Sequence, residues 1–360
     1  MAETEPRRVA AAELRRLAEA AFVAVGLPGE DATRIAGLMV EADLIGADAH
    51  GIFRLPQYVR RIKGGAVNVR PAIAATRSAP ATALVDGDNG MGHLVMAKAA
   101  ETAIDLARES GIGWVGVHRS NHAGPAALYA AMPVAQGMVG LYAAVASANH
   151  MAPWGGVESL LGTNPLAIGI PVGDAAPFIL DIATTVVSYG TVKNAVLQGR
   201  DFPPGWLISK RDGAPLTEPD KAGDGLLLPI GGHKGSGLAI ALGLLAGTLN
   251  GAAFGRDVVD FNADDASETN TGHFIVALDI ARFIDPALFA AAAKRHLDDL
   301  RLSQPLPGAG PVRLPGDMRV RRHAERERDG VPLSAPLIAQ LDALSAELGI
   351  APLDERRRAS

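Results

Sequence analysis

The chain of 360 residues contains no cysteine. That absence removes disulfides, iron–sulfur clusters, thiolate zinc sites and a cysteine nucleophile. It suits a reducing compartment, and a cytoplasmic location is expected. A basic excess is also missing. The net charge is −5, whereas a nucleic-acid-binding face needs clustered positive charge. Charged residues are scarce, 20% against 48% hydrophobic, which suffices for one large core or two to three smaller ones. The first 31 residues lack the build of a signal peptide: their charges are scattered, and Leu14, Leu17, Ala21 and Phe22 recur at helical spacing. Residues 235–255 carry no charge and are long enough to span a bilayer. Glycine, serine, threonine and asparagine punctuate that run, so a helix buried in a protein core is expected, and no membrane partner.

Periodicity organises the rest. Amphipathic helices are expected over 9–25 and 31–46, the second with Ile35, Leu38, Met39, Ala42 and Ile45 on its apolar face. A third helix, 52–63, closes at Gly64-Gly65. Strands are expected at 81–87, 113–119, 138–146, 177–183 and 272–280. Helices fall at 91–109, 125–135, 236–249, 286–300 and 335–348. The tail from 301 reads as loop-rich up to its final helix, and "DERRRAS" (354–360) as a solvated end. Alternating strands and helices in the middle indicate an α/β layer structure, and the first 65 residues an all-helical unit.

Glycine-rich segments are candidate phosphate sites. "VDGDNGMGHLVM" puts a glycine loop between strand and helix, but Val95 stands where G-x-G-x-x-G needs its third glycine. The next strand ends in His118-Arg119, with no acidic residue for a ribose, so any dinucleotide fold here is not the Rossmann type. "GGHKGSG" (231–237) fails the G-K-[ST] order. Lys234 still precedes a helix, which suits a phosphate, and equally a solvated loop. His118 and His122 are four apart, but strand, loop and the Gly124-Pro125 helix start separate them, so no metal is expected. Asp181 at a strand end can accept bonds from a ribose or cap a turn. "NHMAPWGGVESLLGTNPLAIGIPV" (149–172) is dense in turn formers.

"DAHGIFRLPQY" (48–58) raises a sharper possibility. If a helix begins at the turn, His50, Arg54 and Tyr58 share one stripe. An arginine fork matches a carboxylate, and a histidine exchanges a proton near neutral pH. Gly51 would leave room beside the ring. A pocket for a small 2-oxo or 2-hydroxy acid fits this set; so does a solvated helix face, since Arg60, Arg61 and Lys63 follow.

Seven segments in order resemble the malate/L-lactate dehydrogenase family, distinct from the Rossmann lactate dehydrogenases: "DAHGIFRLPQY", "GIGWVGVHRSNHAG", "APWGG", "LGTNPLAIGIPV", "DIAT", "GGHKGSGLA" and "LPGD". That family includes sulfolactate, ureidoglycolate and diketogulonate oxidoreductases and reductases of cyclic imino acids (piperideine- and pyrroline-2-carboxylate). The resemblance implies an unusual, non-Rossmann α/β fold whose mixed-sheet cofactor domain spans 121–285. A helical unit (1–65) would supply the catalytic groups, and 66–120 with 286–360 a supporting α/β domain. It implies a homodimer whose site both subunits shape. It assigns His50 as proton donor or acceptor and Arg54 to the substrate. It assigns NAD or NADP to His122, Ala123, Gly124, Pro125, Ala126, Thr163, Asp181, Ile182, Ala183, Lys234, Gly316 and Asp317. The activity implied is interconversion of a small 2-hydroxy acid and its 2-oxo acid. Cyclic-imine reduction is the alternative within the family, and a non-catalytic dinucleotide-binding protein the alternative outside it. Three positions depart from the pattern: Ala49 replaces the family serine, which in imine-reducing relatives assists proton relay; "ATT" and "GT" stand for "ATS" and "GK"; and "PGD" stands for "PGE". The lysine absent from "GT" bears on the choice between NAD and NADP.

Overall fold

A computed structural model describes residues 6–353. The "DERRRAS" end lies outside the described residues. The chain opens with a short strand β1 (Arg7–Val9) and helices α1 (Ala11–Ala24) and α2 (Gly29–Leu44). Two 3-10 turns, Asp48–His50 and Ile52–Arg54, lead into α3 (Leu55–Lys63). The helices form because apolar residues recur on one face: Leu14, Leu17, Ala21 and Phe22 on α1 and Ile35, Met39 and Val40 on α2 are all buried. Their core is completed from the other end of the chain by Val331, Leu333, Leu341 and Leu344.

The middle of the chain supplies, in order, β2 (Ala74–Ala79), β3 (Thr82–Asp86), α4 (Gly92–Ser110), β4 (Ile112–Ser120), α5 (Ala126–Val134), β5 (Val139–Ala144), β6 (Leu166–Val172) and β7 (Ala175–Ile182). Then come α6 (Tyr189–Leu197), β8 (Leu207–Ser209), β9 (Pro215–Leu216), β10 (Gly225–Leu227), α7 (His233–Ala246), β11 (Thr271–Leu278), α8 (Pro286–Arg301), α9 (Asp317–Asp329), β12 (Val331–Leu333) and α10 (Ala335–Leu348). β12 pairs antiparallel with β1, tying the two chain ends together. The main sheet has seven strands in the order β2-β3-β4-β11-β5-β6-β7. Only β3 and β4 run parallel; every other neighbouring pair is antiparallel. A doubly wound fold needs successive parallel crossovers, so this mixed sheet is of another kind. β11, late in sequence, inserts at the centre. Ile275 and Ala277 face α4 and α5, while Phe274 and Val276 face α7 across the sheet.

Three segments correct the expectations. The turn-rich stretch 149–172 contains β6; Gly169 reads as a turn former, but a Cβ there would come within 2.7 Å of the Ala130 carbonyl, so it lets α5 pack on the sheet. No helix is expected between residues 183 and 236, yet α6 stands there, capped by Ser188, whose Oγ accepts from the Thr191 amide. The tail contains α9, "DMRVRRHAERERD", which has no apolar stripe to betray it. Polar contacts carry it instead: ion pairs of Arg319 with Asp181 and of Arg326 with Asp48, and a 3.3 Å contact of His323 Nε2 with Glu41. The uncharged run at 235–255 divides into α7 and a 3-10 turn at Thr248–Asn250, and among the described residues no helix is long and apolar enough to cross a membrane.

Candidate active site

The turn that presents His50 rests on a buried carboxyl. Asp43, near the end of α2, accepts from the Ile52 amide at 2.8 Å. A Cβ on Gly51 would lie 2.0 Å from Asp43 Oδ1. The space beside Gly51 therefore belongs to Asp43 and not to a substrate. Burial pushes the Asp43 carboxyl up to about 8. The expected helical stripe is also corrected. The α-helix starts only at Leu55, and the preceding 3-10 turns change the angular spacing of residues 50 and 54.

Tertiary packing nevertheless brings these residues around one centre. The His50 ring stacks on His122, with centroids 5.4 Å apart and planes 7° from parallel. The Tyr58 hydroxyl meets His122 Nδ1 at 2.6 Å, so Tyr58 backs His122 and does not line the cavity. Arg54 is held by three acceptors: Nε donates to the Ala49 carbonyl at 2.8 Å, and Nη1 to Gln57 Oε1 at 2.7 Å and to Asn262 Oδ1 at 3.4 Å. Its guanidinium also lies 5.7 Å from the Phe261 ring centroid. No carboxylate pairs with Arg54 among the described residues. Behind this group His93 is wholly buried, edge-on to Tyr58, with neither ring nitrogen hydrogen-bonded.

Electrostatics keep the rings neutral. Burial, then the charges of Arg54 and Arg319, lower His50 to about 4. Burial and the proximity of His50 lower His93 to about 3. His122 lies well below its ordinary value, chiefly through burial. His50 Nδ1 is buried without a hydrogen-bond partner, which leaves Nε2 as the nitrogen available to a ligand.

The cavity in front of these groups opens to solvent and encloses about 800 Å³ when its mouth is counted. His50, Arg54, His122, Ala123, Gly124 and Thr163 line it together. The remaining expected residues lie elsewhere. Pro125 and Ala126 form the start of α5. Asp181 Oδ2 accepts from the Ala127 amide at 3.1 Å and pairs with Arg319 at 3.0 Å, so it caps α5. Ile182 ends β7 and Ala183 follows it. Gly316, with φ of +101°, precedes α9, and a Cβ on it would come within 3.1 Å of the β7 backbone. Asp317 pairs with Arg301 at 2.9 Å and accepts from the Leu314 amide. Lys234 stands exposed in the first turn of α7. Among the described residues no group of three or more His, Asp or Glu comes together to hold a metal ion.

Sequence reasoning missed Asn262, Lys193, His93 and Arg319. Asn262 lies 208 residues from the arginine it bonds, a separation that no local pattern reveals. Lys193 had one available signal, its i+4 spacing from Tyr189 on α6.

A family model described as malate/L-lactate dehydrogenase matches residues 9–342. The chain is 34% identical over 337 residues to a malate dehydrogenase of Pyrococcus abyssi, covering 92% of each. It is 37% identical over 325 residues to an L-sulfolactate dehydrogenase of Methanocaldococcus jannaschii, covering 90% of this chain and 92% of the relative. A relative from Ancylobacter novellus, 34% identical over 94% of this chain and 98% of its own, is named Delta(1)-pyrroline-2-carboxylate reductase. The solved malate dehydrogenase of Pyrococcus horikoshii superposes with a TM-score of 0.88 at 32% identity, covering 97% of both chains.

Proposed function

The chain belongs to the malate/L-lactate dehydrogenase family, and on that premise we propose that it interconverts a small 2-hydroxy acid and its 2-oxo acid with His50 moving the proton. The observation that carries this reading is the pairing of a desolvated, neutral His50 with an immobilised Arg54 that has no carboxylate of its own. Arg54 fixes the substrate carboxylate, its plane set by Ala49 and Gln57. His50 faces the neighbouring oxygen through Nε2. In oxidation the neutral ring accepts the hydroxyl proton. In reduction it must be protonated, and a substrate carboxylate on Arg54 offsets one of the cations that hold its proton affinity down. His122, braced by Tyr58, keeps the His50 ring plane fixed by stacking.

A nicotinamide dinucleotide, NAD or NADP, supplies or accepts the hydride when bound. The residues present suit it: Ala123 and Gly124 carry the cavity wall to the start of α5, and Lys234 offers an uncompensated charge at the start of α7. A homodimer and a cytoplasmic location belong to the same proposal. Ala49 supplies no hydroxyl beside His50, which favours the oxo acid over a cyclic imine as substrate.

Nicotinamide absorbance tests this with NADH and NADPH against 2-oxo acids and cyclic imino acids. Turnover of an oxo acid is expected. Dinucleotide binding without any turnover would identify a binding protein, and imine turnover far above every oxo acid would replace the substrate class.

A further inference from the structure

His50 and Arg54 are joined by a link that the chain itself leaves loose. Gly51, between them, has no side chain to restrict it. Its φ of −91° is not the left-handed conformation that calls for glycine. Glycine stands there because the Asp43 carboxyl occupies the place of a Cβ. The His50 amide donates to the Ala47 carbonyl at 2.8 Å, and the Arg54 amide to the Gly51 carbonyl at 2.9 Å, so each residue is tied only within its own 3-10 turn. The joint between the two turns is fastened to the helical core by one bond, from the Ile52 amide to Asp43 Oδ2. Among the described residues that amide is the one hydrogen-bond donor to a carboxyl which, as a buried carboxylate, would need several. Arg326 comes close from α9, but its guanidinium donates to the Asp43 carbonyl at 2.5 Å and to the Asp48 carboxylate, not to the Asp43 carboxyl. Of the charged groups facing that carboxyl, Asp48 on the first 3-10 turn raises its proton affinity and Arg326 lowers it. Burial outweighs both, so Asp43 stays protonated through neutral pH.

We infer that Asp43 is a positioning residue: its carboxyl braces the Gly51–Ile52 joint against α2 and so holds His50 and Arg54 at the separation the reaction uses. It does this as the neutral acid. The inference rests on the dehydrogenase reading above, in which both residues meet the substrate; Asp43 itself acts only through them. Without the brace His50 and Arg54 remain, but the glycine joint between them turns freely, and a small misplacement of reacting groups lowers the rate steeply. A charge on Asp43 disturbs the same joint by another route. An unpaired buried carboxylate draws a cation, and Arg326 would be pulled from Asp48 at the start of the His50 turn.

The test follows the full-length protein, Asp43→Asn and Asp43→Ala in the oxidation direction, with L-malate and L-lactate as substrates and NAD+ or NADP+. Neutral His50 is the competent form in that direction, so His50 causes no fall in rate at alkaline pH. Wild type should lose kcat as pH rises past about 8. Asp43→Asn keeps an acceptor for the Ile52 amide and cannot ionise, so it should retain most of the kcat and lack that fall. Asp43→Ala should lower kcat about 10–100-fold. Dinucleotide affinity, measured calorimetrically, should be unchanged in both variants, which also shows that they are folded. A second readout needs no turnover: NMR of the isotope-labelled imidazole of His50, identified by its loss in His50→Ala. Its proton affinity should stay far below the ordinary 6.5 in wild type and Asp43→Asn, and rise in Asp43→Ala as the ring leaves its packing. A wild-type rate in Asp43→Ala, an equal loss in Asp43→Asn, or an alkaline fall that persists in Asp43→Asn overturns the role of Asp43 and leaves the dehydrogenase reading standing. No turnover of either hydroxy acid counts against that reading, and the His50 resonance then decides the brace: the same proton affinity in Asp43→Ala as in wild type overturns it.

Discussion

Arg54 and Lys234, both proposed here as anion-binding cations, sit in opposite surroundings. Arg54 is locked by Ala49, Gln57 and Asn262 and lies against Phe261. Lys234 is exposed at a helix start, with no hydrogen-bonded or ionic partner among the described residues. Around Arg54 lie buried rings such as Phe261; Lys234 stands in a glycine-rich segment, 231–237, with Trp154 against its neighbour His233. On the proposed reading the difference matches two tasks. A reacting carboxylate has to be oriented closely, which takes a planar fork held by its own partners. Phosphates need charge and backbone amides, which a solvated lysine and a glycine turn provide.

The sharpest way to break this contrast is His50→Ala. Loss of a positioned acid–base group should cut kcat by about 10²–10⁴-fold. Dinucleotide affinity, measured calorimetrically, should be unchanged, since the ring belongs to the inner region. A near-normal rate would transfer the chemistry to His122.

Acid should loosen the inner region before the outer one. Folded His50 and His273 titrate at about 4 and His93 at about 3, against about 6.5 for an unfolded chain. Between those values the unfolded chain binds more protons, so stability present above pH 6.5 is lost as pH falls toward 4. His93→Phe removes one such ring at similar volume, and two unpartnered polar atoms with it. It should raise stability at pH 5 by on the order of 1–3 kcal/mol relative to wild type. Thermal melts across pH 4–7 measure this; an equally steep decline in Tm for both proteins would place the acid sensitivity in other groups.

The smallest effect belongs to the outer region. Lys234→Ala should raise the dinucleotide KM about 2–5-fold and leave kcat alone, as expected for an exposed charge at a helix start. The increase should shrink in high salt. A large fall in kcat, or insensitivity to salt, would mean that Lys234 is as tightly built into the site as Arg54.

Much of the layer structure was legible locally. Apolar spacing on α1 and α2 marked their buried faces, and the strand–helix–strand run of β3, α4 and β4 followed from alternation and a glycine turn. The missing third glycine at Val95 argued against a Rossmann unit, and the mixed sheet agrees. The chemistry-bearing stretch around His50 was visible through its residue types and through ordered resemblance to a family, not through helical register. β6 and α9 were not legible: the glycine of β6 serves close packing with α5, and α9 is held by ion pairs to distant residues, neither of which leaves a periodic signature.

Residue types and short-range spacing determined which segments could be helices and strands, that thiol chemistry was closed, and that His50 and Arg54 stand in one short stretch. Only the tertiary structure decided that Asp43 fills the space beside Gly51, that Asp181 caps α5, and that Asn262 joins Arg54 to Lys193. Each of these depends on a backbone approaching from elsewhere in the chain. Helical and strand periodicity reports only which way a residue faces, whereas the partner on that side is chosen by packing.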